Sequence, residues 1–443
     1  MALLVAGATF MEILDATIIA TAIPAVAASF DVSPVDVNIA VSAYLLTVAV
    51  LIPATGWVAD RFGIRPVFLA AIVVFTLASV GCALSVSLPM LVGMRVLQGV
   101  GGAMMVPVGR LAVLRFSEKG DLVRAIALLT WPALTAPVVA PALGGAIATY
   151  GSWRWIFLIN IPIGILGFLL GLKLIRGGPA AEPRTFDWRG LLLLGTGIAA
   201  ALLALEHIRV SGTDWMLVGI GGGVAIGLLS AAVWHLRRTP APLMRLSVLR
   251  VRTLRITVSG GSLYRLVITA VPFLLPLLFQ LEFGWSAFTA GLMVAALFVG
   301  NLTIKPTTTP LMRRFGIKRV LLVNGVASVV WFGVLAALQP DTPVVLIAAA
   351  LYVSGALRSI GFTAYNSLAF ADVDGDELTH ANTVNATMQE VAAGLGIAVA
   401  ALLLTVLSSF AWAFVALGVL LALTLVETLR LPADAGRHVS GTR

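Results

Sequence analysis

Charged side chains inside long apolar runs are the features of this sequence that could do chemistry, because such groups are costly in an apolar interior and are rare without a function. Glu12 and Asp15 are three residues apart in the first run, so on a helix they share one face about 15–20 Å from its start. Two neighbouring carboxylates that are poorly solvated as anions can exchange a proton. We therefore predict a proton site at Asp15, with Glu12 as the second candidate. The alternative is that Asp15 only hydrogen-bonds neighbouring helices.

Arg95 is a permanent cation in another apolar run. A guanidinium in hydrocarbon needs an acidic partner or a wet cavity. A static ion pair that stabilises the fold is the alternative to a chemical role. Gln98, Gly99 and Gly102 share its helical stripe, and the two glycines favour a close approach between helices.

Further polar residues lie in apolar runs of the second half of the chain, namely Arg265, Lys305, Arg358, Asn366, Asn382, Asn385, Gln389 and Glu390. Asn382, Asn385 and Gln389 follow helical spacing, which fits a cavity wall and fits hydrogen bonds between helices equally well. We expect Lys305 to extend its amine toward the membrane surface. Glu390 is a candidate proton or cation site. The predicted substrate cavity comprises Gln98, Arg265, Arg358, Asn366, Asn385 and Gln389.

The elements that must position these residues are transmembrane helices. The chain has 443 residues, of which 60% are hydrophobic and 11% are charged, and its mean hydropathy is +1.03, which excludes an ordinary soluble protein. Lipid offers no hydrogen-bond partners, so each run must satisfy its own backbone as a helix. We predict an all-α integral membrane protein with fourteen spans at roughly 2–28, 36–59, 66–86, 89–114, 124–150, 154–176, 188–206, 214–235, 254–280, 286–311, 318–338, 342–368, 381–407 and 410–428.

The charge pattern indicates topology rather than a nucleic-acid partner. The net charge is +9, but the basic residues stand in short loops without interleaved aromatics. They fill the even-numbered loops, for example at Arg61 and Arg65, whereas the odd-numbered loops hold little beyond Arg154 and Arg209. The positive-inside rule then predicts two cytoplasmic termini. Cys82 is the only cysteine, so we expect neither a disulfide nor a metal or other cofactor.

An internal repeat divides the chain. Arg61-Phe-Gly-Ile-Arg65 after span 2 recurs as Arg314-Phe-Gly-Ile-Lys318 after span 10, 253 residues later. We predict an N-terminal six-helix bundle (1–176), an inserted helix pair (177–252), a C-terminal six-helix bundle (253–430) and a cytoplasmic tail (431–443). Transporters built from parallel repeats place their cavity between the two halves.

Five motifs carry a resemblance to a known family, and in chain order they are Leu14-Asp15-Ala-Thr17-Ile-Ile-Ala-Thr-Ala-Ile-Pro24, Gly56-Trp-Val-Ala-Asp60-Arg61-Phe-Gly63-Ile-Arg65-Pro66, Arg95-Val-Leu-Gln98-Gly99-Val-Gly101-Gly102-Ala-Met-Met-Val-Pro107, Pro141-Ala-Leu-Gly144-Gly145 and Trp153-Arg154-Trp155-Ile-Phe-Leu-Ile-Asn160-Ile-Pro162. Together they resemble the major facilitator superfamily and, within it, the fourteen-helix drug:proton antiporters of the EmrB/QacA group, especially MdtD-like bacterial exporters. The resemblance covers essentially the whole chain.

The resemblance implies a monomeric, proton-coupled exporter of small lipophilic or cationic compounds in the bacterial inner membrane. It assigns proton relay to Arg95, to which we add Asp15, Glu12 and Glu390 from the residues themselves. A cytoplasmic gate is implied at Gly56, Asp60, Arg61, Gly63 and Arg65. We expect Asp60 to meet the start of span 13, and Arg61 or Arg65 to reach the acidic loop at Asp372, Asp374, Asp376 and Glu377 when that side is closed. An export motif is implied at Pro137, Pro141, Gly144 and Gly145, where a kink needed only for fit is the alternative.

Two other functions remain open at the level of sequence. One is export of a specific endogenous metabolite, an anionic one included, since Arg95, Arg265 and Arg358 outnumber the acids if Glu12 is protonated. The other is a non-transporting receptor or membrane-embedded enzyme, which the lack of a soluble domain and of a His/Asp or His/Glu cluster disfavours. Charge selectivity separates the two kinds of exporter.

Overall fold

Helices make up nearly all of the regular structure. The computed structural model describes residues 1–116, 122–175, 185–208, 213–373 and 377–432, and gives their side chains except at 114–116, 122–134, 206 and 379. The long helices are α1 (Ala2–Phe30), α2 (Asn38–Phe62), α3 (Ile64–Ala83), α4 (Leu88–Phe116), α5 (Leu122–Tyr150), α6 (Trp155–Leu174), α7 (Trp188–Glu206), α8 (Trp215–Arg238), α9 (Arg252–Glu282), α10 (Ala287–Thr303), α11 (Ile317–Ala336), α12 (Val344–Ala369), α13 (Leu378–Leu407) and α14 (Phe410–Leu429).

The all-helical membrane fold predicted from the sequence is confirmed. In the described part of the chain, twelve helices are long and apolar enough to cross a membrane, or thirteen if α10 and the short helix that follows it form one span. Helix α5 is a further helix of 29 residues, but the side chains of its first half are not described. The count of fourteen spans therefore stays a prediction, as do the bundle boundaries.

Several predicted spans are not continuous α-helices, since α2 has a 3-10 segment at Ile52–Ala54 and α9 has π segments at Thr257–Gly261 and Leu278–Glu282. Helix α1 passes through a 3-10 segment at Ile19–Ala22, directly before Pro24. The predicted span 286–311 contains a bend of 47° between α10 and the helix Lys305–Phe315. Pro306 stands in the first turn after this bend, where a residue that cannot donate a backbone hydrogen bond costs least.

The predicted repeat is visible in the backbone. Gly63 has φ 84° and ψ 148°, and Gly316, which is 253 residues later, has φ 79° and ψ 151°. Such positive φ values favour glycine, and each glycine turns the chain directly into the next helix. The basic residue two positions later also has the same role in both halves. Arg65 donates to Leu172 O at the end of α6 over 2.7 Å, and Lys318 donates to Leu429 O at the end of α14 over 3.1 Å.

The end of the bundle where α1 begins and α14 ends is called the terminal face, and the opposite end is called the far face. The two halves meet at the far face. At the far face, the Gln280 amide of α9 donates to Thr21 O of α1 over 3.1 Å. The Phe288 amide of α10 donates to Thr149 Oγ1 of α5 over 3.0 Å. One apolar core cluster there contains buried residues of both halves, among them Ile18 and Leu274. These contacts close the far face.

The inserted helices lie against one side of the bundle. Ile198 and Leu202 of α7 share an apolar cluster with Leu46 of α2 and Ala398 of α13, so α7 packs across the seam between the halves. Helix α8 packs mainly against α7, and only 11% of its most apolar window is buried, which leaves most of its surface for lipid.

Asp187 fixes the inserted pair at the terminal face. Its carboxylate accepts hydrogen bonds from the Gly190 amide (2.8 Å), the Leu243 amide (3.0 Å) and His235 Nε2 (2.7 Å). Burial raises the pKa of Asp187, but these hydrogen bonds outweigh it and hold the pKa below its ordinary value. One side chain therefore caps α7 and ties it to the end of α8 and to the following loop.

We expect Asp187→Ala to destabilise the protein by more than the roughly 1 kcal/mol of a lost helix cap, because two ties to other segments are lost as well. Since the folded pKa is lowered, the contribution of Asp187 is fully present above the unfolded pKa of about 3.9 and is lost as the pH falls through the folded pKa. Thermal unfolding in detergent between pH 3 and 7 measures it. Asp214→Ala is the matched control, since Asp214 caps only its own helix at Met216 and Leu217. Equal losses in the two variants would contradict the tie.

Candidate functional site

A buried hydrogen-bond network surrounds Asp15 inside the N-terminal half. Arg95 Nη1 donates to Asp15 Oδ2 and to Gln98 Oε1, the latter over 2.7 Å. Gln98 Nε2 donates to Asp15 Oδ1 over 2.9 Å and to Ser79 Oγ over 2.8 Å. Asn160 Nδ2 also donates to Asp15 Oδ1, over 2.7 Å. Three donors from α4 and α6 therefore hold one carboxylate of α1.

This network is closed to solvent. Asp15 is 1% exposed, and Arg95 and Gln98 are 0% exposed. The Arg95 guanidinium lies 4.2 Å from the centre of the Tyr44 ring, which adds a cation–π contact. The structure thus brings Asp15 and Arg95 together as an ion pair, and Gln98 forms hydrogen bonds to both. It places Gln98 inside the N-terminal bundle rather than on a wall between the halves.

Asn160 and Ser79 were not predicted as site residues. Asn160 lies in the motif that enters α6, which marked its position but not its partner. Ser79 had no signal, since a serine in an apolar run usually bonds its own helix, as Ser79 Oγ also does to Phe75 O.

A second group of charges lies where the two halves face each other. The ionisable groups that act electrostatically on Glu12 are Glu390 of α13, Arg110 of α4 and Asp15. Arg265 of α9 acts on Glu390 in turn. Glu12 and Glu390 are partly exposed, and in the part of the chain that the structure describes neither has a hydrogen-bond partner. Two carboxylates, one from each half, therefore lie close enough to interact electrostatically.

Arg110 is a member of this group that the sequence analysis missed. It was not singled out because it stands close to the predicted end of span 4, where basic residues are common. The signal that could have found it is its spacing from Gly102, which is two helical turns away on α4 and lies against Glu12. Arg110 itself is exposed.

Exposure along the helices differs between the two sides of these charges. Toward the far face, the helix surfaces beyond the charges are buried, with Ile18 at 1%, Ala22 at 0% and Leu274 at 0% exposure. Toward the terminal face, Arg110 and Asn382 are exposed. The buried surfaces thus lie on the far-face side of Glu12 and Glu390, and the exposed polar residues lie on the terminal-face side.

Two arginines of the C-terminal half lie near this group, Arg265 next to Glu390 and Arg358 next to Arg265. The Arg265 guanidinium lies 4.9 Å from the centre of the Phe362 ring, and that of Arg358 lies 5.3 Å from the centre of the Phe298 ring. Arg265 Nε and Arg358 Nη1 are buried without a hydrogen-bond partner. Among the described residues, no carboxylate comes within ion-pair distance of either side chain.

The other predicted cavity residues of the C-terminal half are Asn366, Asn385 and Gln389. Asn366 donates to Phe362 O of its own helix over 3.0 Å. Asn385 is 5% and Gln389 is 7% exposed, and each has a carbonyl oxygen without a partner. Lys305 is not extended as expected: its Nζ donates to Thr363 Oγ1 of α12 over 3.3 Å, since the bend after α10 turns it inward.

The predicted gate residues lie at the terminal face. Gly63 forms the repeat turn, and Arg65 donates to the end of α6. Arg61 is exposed. A Cβ added to Gly56 would meet nothing within 4 Å. The predicted contacts of Asp60, Arg61 and Arg65 across the halves concern the state closed at this face, so they stay predictions. Of the charged residues named from the sequence, Arg209, Asp374 and Asp376 lie outside the described residues.

The export motif forms a close contact between the halves at the far face. A Cβ added to Gly145 would lie 2.2 Å from Ala287 O of α10, and one added to Gly291 of α10 would lie 2.1 Å from Pro141 O. Gly144 instead packs within the N-terminal half, where a Cβ would lie 2.5 Å from Ile18 O. Pro137 is one turn closer to the middle of α5. The small residues let the backbones of α5, α1 and α10 nearly touch.

Comparison with known sequences gives the family. A family model described as the Major Facilitator Superfamily matches residues 5–396 and 257–441. A relative from Cronobacter sakazakii is 36% identical over 462 residues, which covers 98% of this chain and 95% of the relative. One from Escherichia coli O45:K1 is 34% identical over 459 residues, which covers 99% and 96%. Both are named, provisionally, multidrug resistance protein MdtD.

Solved structures share the fold at low identity. A peptide transporter POT in complex with sulfate has a TM-score of 0.73 at 13% identity, covering 99% of this chain and 94% of that chain. A D-xylose-proton symporter has a TM-score of 0.68 at 16% identity, covering 100% and 99%. Sequence family, helical architecture and internal repeat agree, and the chain belongs to the major facilitator superfamily of membrane transporters.

Proposed function

We propose that the protein is a proton-coupled exporter of small lipophilic compounds, of the multidrug efflux type, in a bacterial inner membrane. The names of its relatives support the efflux type. The basic even-numbered loops support a cytoplasmic terminal face. In that orientation the exposed Arg110 and Asn382 face the cytoplasm, the side from which an exporter takes up its substrate. Export follows when the two halves rock and the far face opens.

One observation carries the proton coupling: Glu12 and Glu390 interact from opposite halves, and neither has a hydrogen-bond partner among the described residues. Like charges close together disfavour double ionisation, so the pair is suited to hold a proton that either half can lose when they move apart. Asp15 has a different role in this proposal. Three donors, Arg95 among them, stabilise its anion, and it positions α1 and keeps Arg95 in place.

The test is transport into proteoliposomes under an imposed pH gradient, compared with substrate exchange without a gradient. We expect Glu12→Gln and Glu390→Gln each to reduce gradient-driven uptake at least tenfold while exchange continues, because a permanently neutral side chain cannot carry the proton. Glu427→Gln is the matched control, since Glu427 pairs only with Arg430 near the end of α14. Undiminished gradient-driven uptake in both cavity variants would refute the assignment.

A further inference from the structure

We propose that the wall formed by α9 and α12 binds an oxyanion, so that the preferred substrates are organic anions: an apolar body with a carboxylate, sulfonate or phosphate held between Arg265 and Arg358. This inference rests on the proposed function and names the charge class of its substrate. It replaces the expected preference for cations.

The first argument is the charge balance of the space between the halves. Arg110, Arg265, Arg358 and Lys305 act on one another or on Glu12 and Glu390, and Asp15 also acts on Glu12. Asp15 and Arg95 neutralise each other in their own network. Four cations therefore face two carboxylates, and any proton bound by the carboxylates increases the positive surplus.

The second argument is the state of the two arginines. The charge that acts most on Arg358 is the neighbouring Arg265, so two cations are held near each other in a membrane interior. Arg358 Nη1 and Arg265 Nε are buried donors without acceptors. A buried donor left unsatisfied costs free energy, and so does a like-charge pair, so the arrangement is understandable if a ligand supplies the missing acceptors.

The third argument is geometry. Each guanidinium lies within 5.3 Å of the centre of a phenyl ring and has a donor without an acceptor among the described residues, and a guanidinium can bind an oxyanion through two parallel hydrogen bonds. Phe298 and Phe362 also supply apolar surface for the body of the ligand. Behind Arg358, a cavity of about 20 Å³ lined by Tyr264, Ser328 and Trp331 has room for about one water molecule. This cavity is too small for the ligand. We therefore expect the ligand to reach the arginines from the space between the halves.

The experiment compares three probes that share one apolar body: 1-naphthaleneacetate, 1-naphthalenemethanol and 1-naphthylmethylammonium. Binding to purified protein in detergent is measured by calorimetry without a proton gradient. We expect the anion to bind at least tenfold more tightly than the cation, and Arg265→Gln and Arg358→Gln each to weaken the anion about tenfold while binding of the alcohol is unchanged. Arg358→Lys, which keeps the charge, should retain part of the preference. Arg189→Gln, at the start of α7, is the control.

Unchanged binding of the alcohol reports that each variant is folded. The inference is overturned if the cation binds as tightly as the anion, or if Arg358→Gln weakens all three probes equally. The outcome is separable from the proposed function. Gradient-driven transport of the alcohol without anion preference would leave the function standing and remove the oxyanion site. Anion preference without gradient-driven transport of any probe would support the site and remove the proton coupling.

Discussion

Asp15→Asn is expected to lower the free energy of unfolding by about 3–5 kcal/mol, since it leaves the Arg95 cation buried without its counter-charge. The amide also places a donor where Asp15 now accepts from Gln98 and Asn160. We expect uphill transport to be abolished, because Arg95 then has no fixed partner. The double variant Asp15→Asn/Arg95→Gln removes both charges and should recover at least half of the lost stability.

Denaturation with sodium dodecyl sulfate in mixed micelles measures these differences, with transport into proteoliposomes assayed in parallel. Glu12→Gln is the control for stability, because Glu12 is on the same helix but is partly exposed and has no hydrogen-bond partner among the described residues. It should cost less than about 1 kcal/mol. The ion pair does not hold this bundle together if Asp15→Asn is as stable as the unaltered protein. The same follows if the double variant is less stable than both Asp15→Asn and the unaltered protein.

Gly145→Ala is expected to prevent closure of the far face and to abolish transport. The added Cβ would lie 2.2 Å from Ala287 O and 2.9 Å from Phe288 Cα, and both are backbone atoms that cannot rotate away. In a state open at the far face, α5 and α10 separate and the clash disappears. The two states of such a transporter differ by only a few kcal/mol, and a backbone clash is enough to reverse their populations.

Spin labels at Val86→Cys and Asp341→Cys, both exposed in far-face loops of opposite halves, report this change as a longer distance, and the native Cys82 is buried. Gly144→Ala is the informative comparison. Its clash with Ile18 lies within one half, so it should lower stability without lengthening that distance. Gly7→Ala has open space around its Cβ and should change neither quantity. An unaltered distance distribution in Gly145→Ala would show that this contact does not control closure.

The sequence by itself determined the solvent and therefore the class of fold. A run of about 20 apolar residues in lipid must satisfy its backbone hydrogen bonds within itself, and an α-helix does so. It also determined the repeat, because Gly63 and Gly316 occupy a turn that favours positive φ and the surrounding motif must fit the same turn twice. The break between α10 and Lys305–Phe315 was missed, since hydropathy continues across it and Pro306 alone did not decide between a kink and a tolerated proline.

Only the tertiary structure decided which polar groups meet. Periodicity put Glu12 and Asp15 on nearly the same face of α1, but Asp15 is enclosed by α4 and α6 while Glu12 faces Glu390 of the other half. A helix turns 100° per residue, so three positions leave about 60° between two side chains, enough to separate an enclosed partner from a solvated one. Which neighbour fills each direction depends on the depth and tilt of other helices, and these are set by packing across residues far apart in the chain.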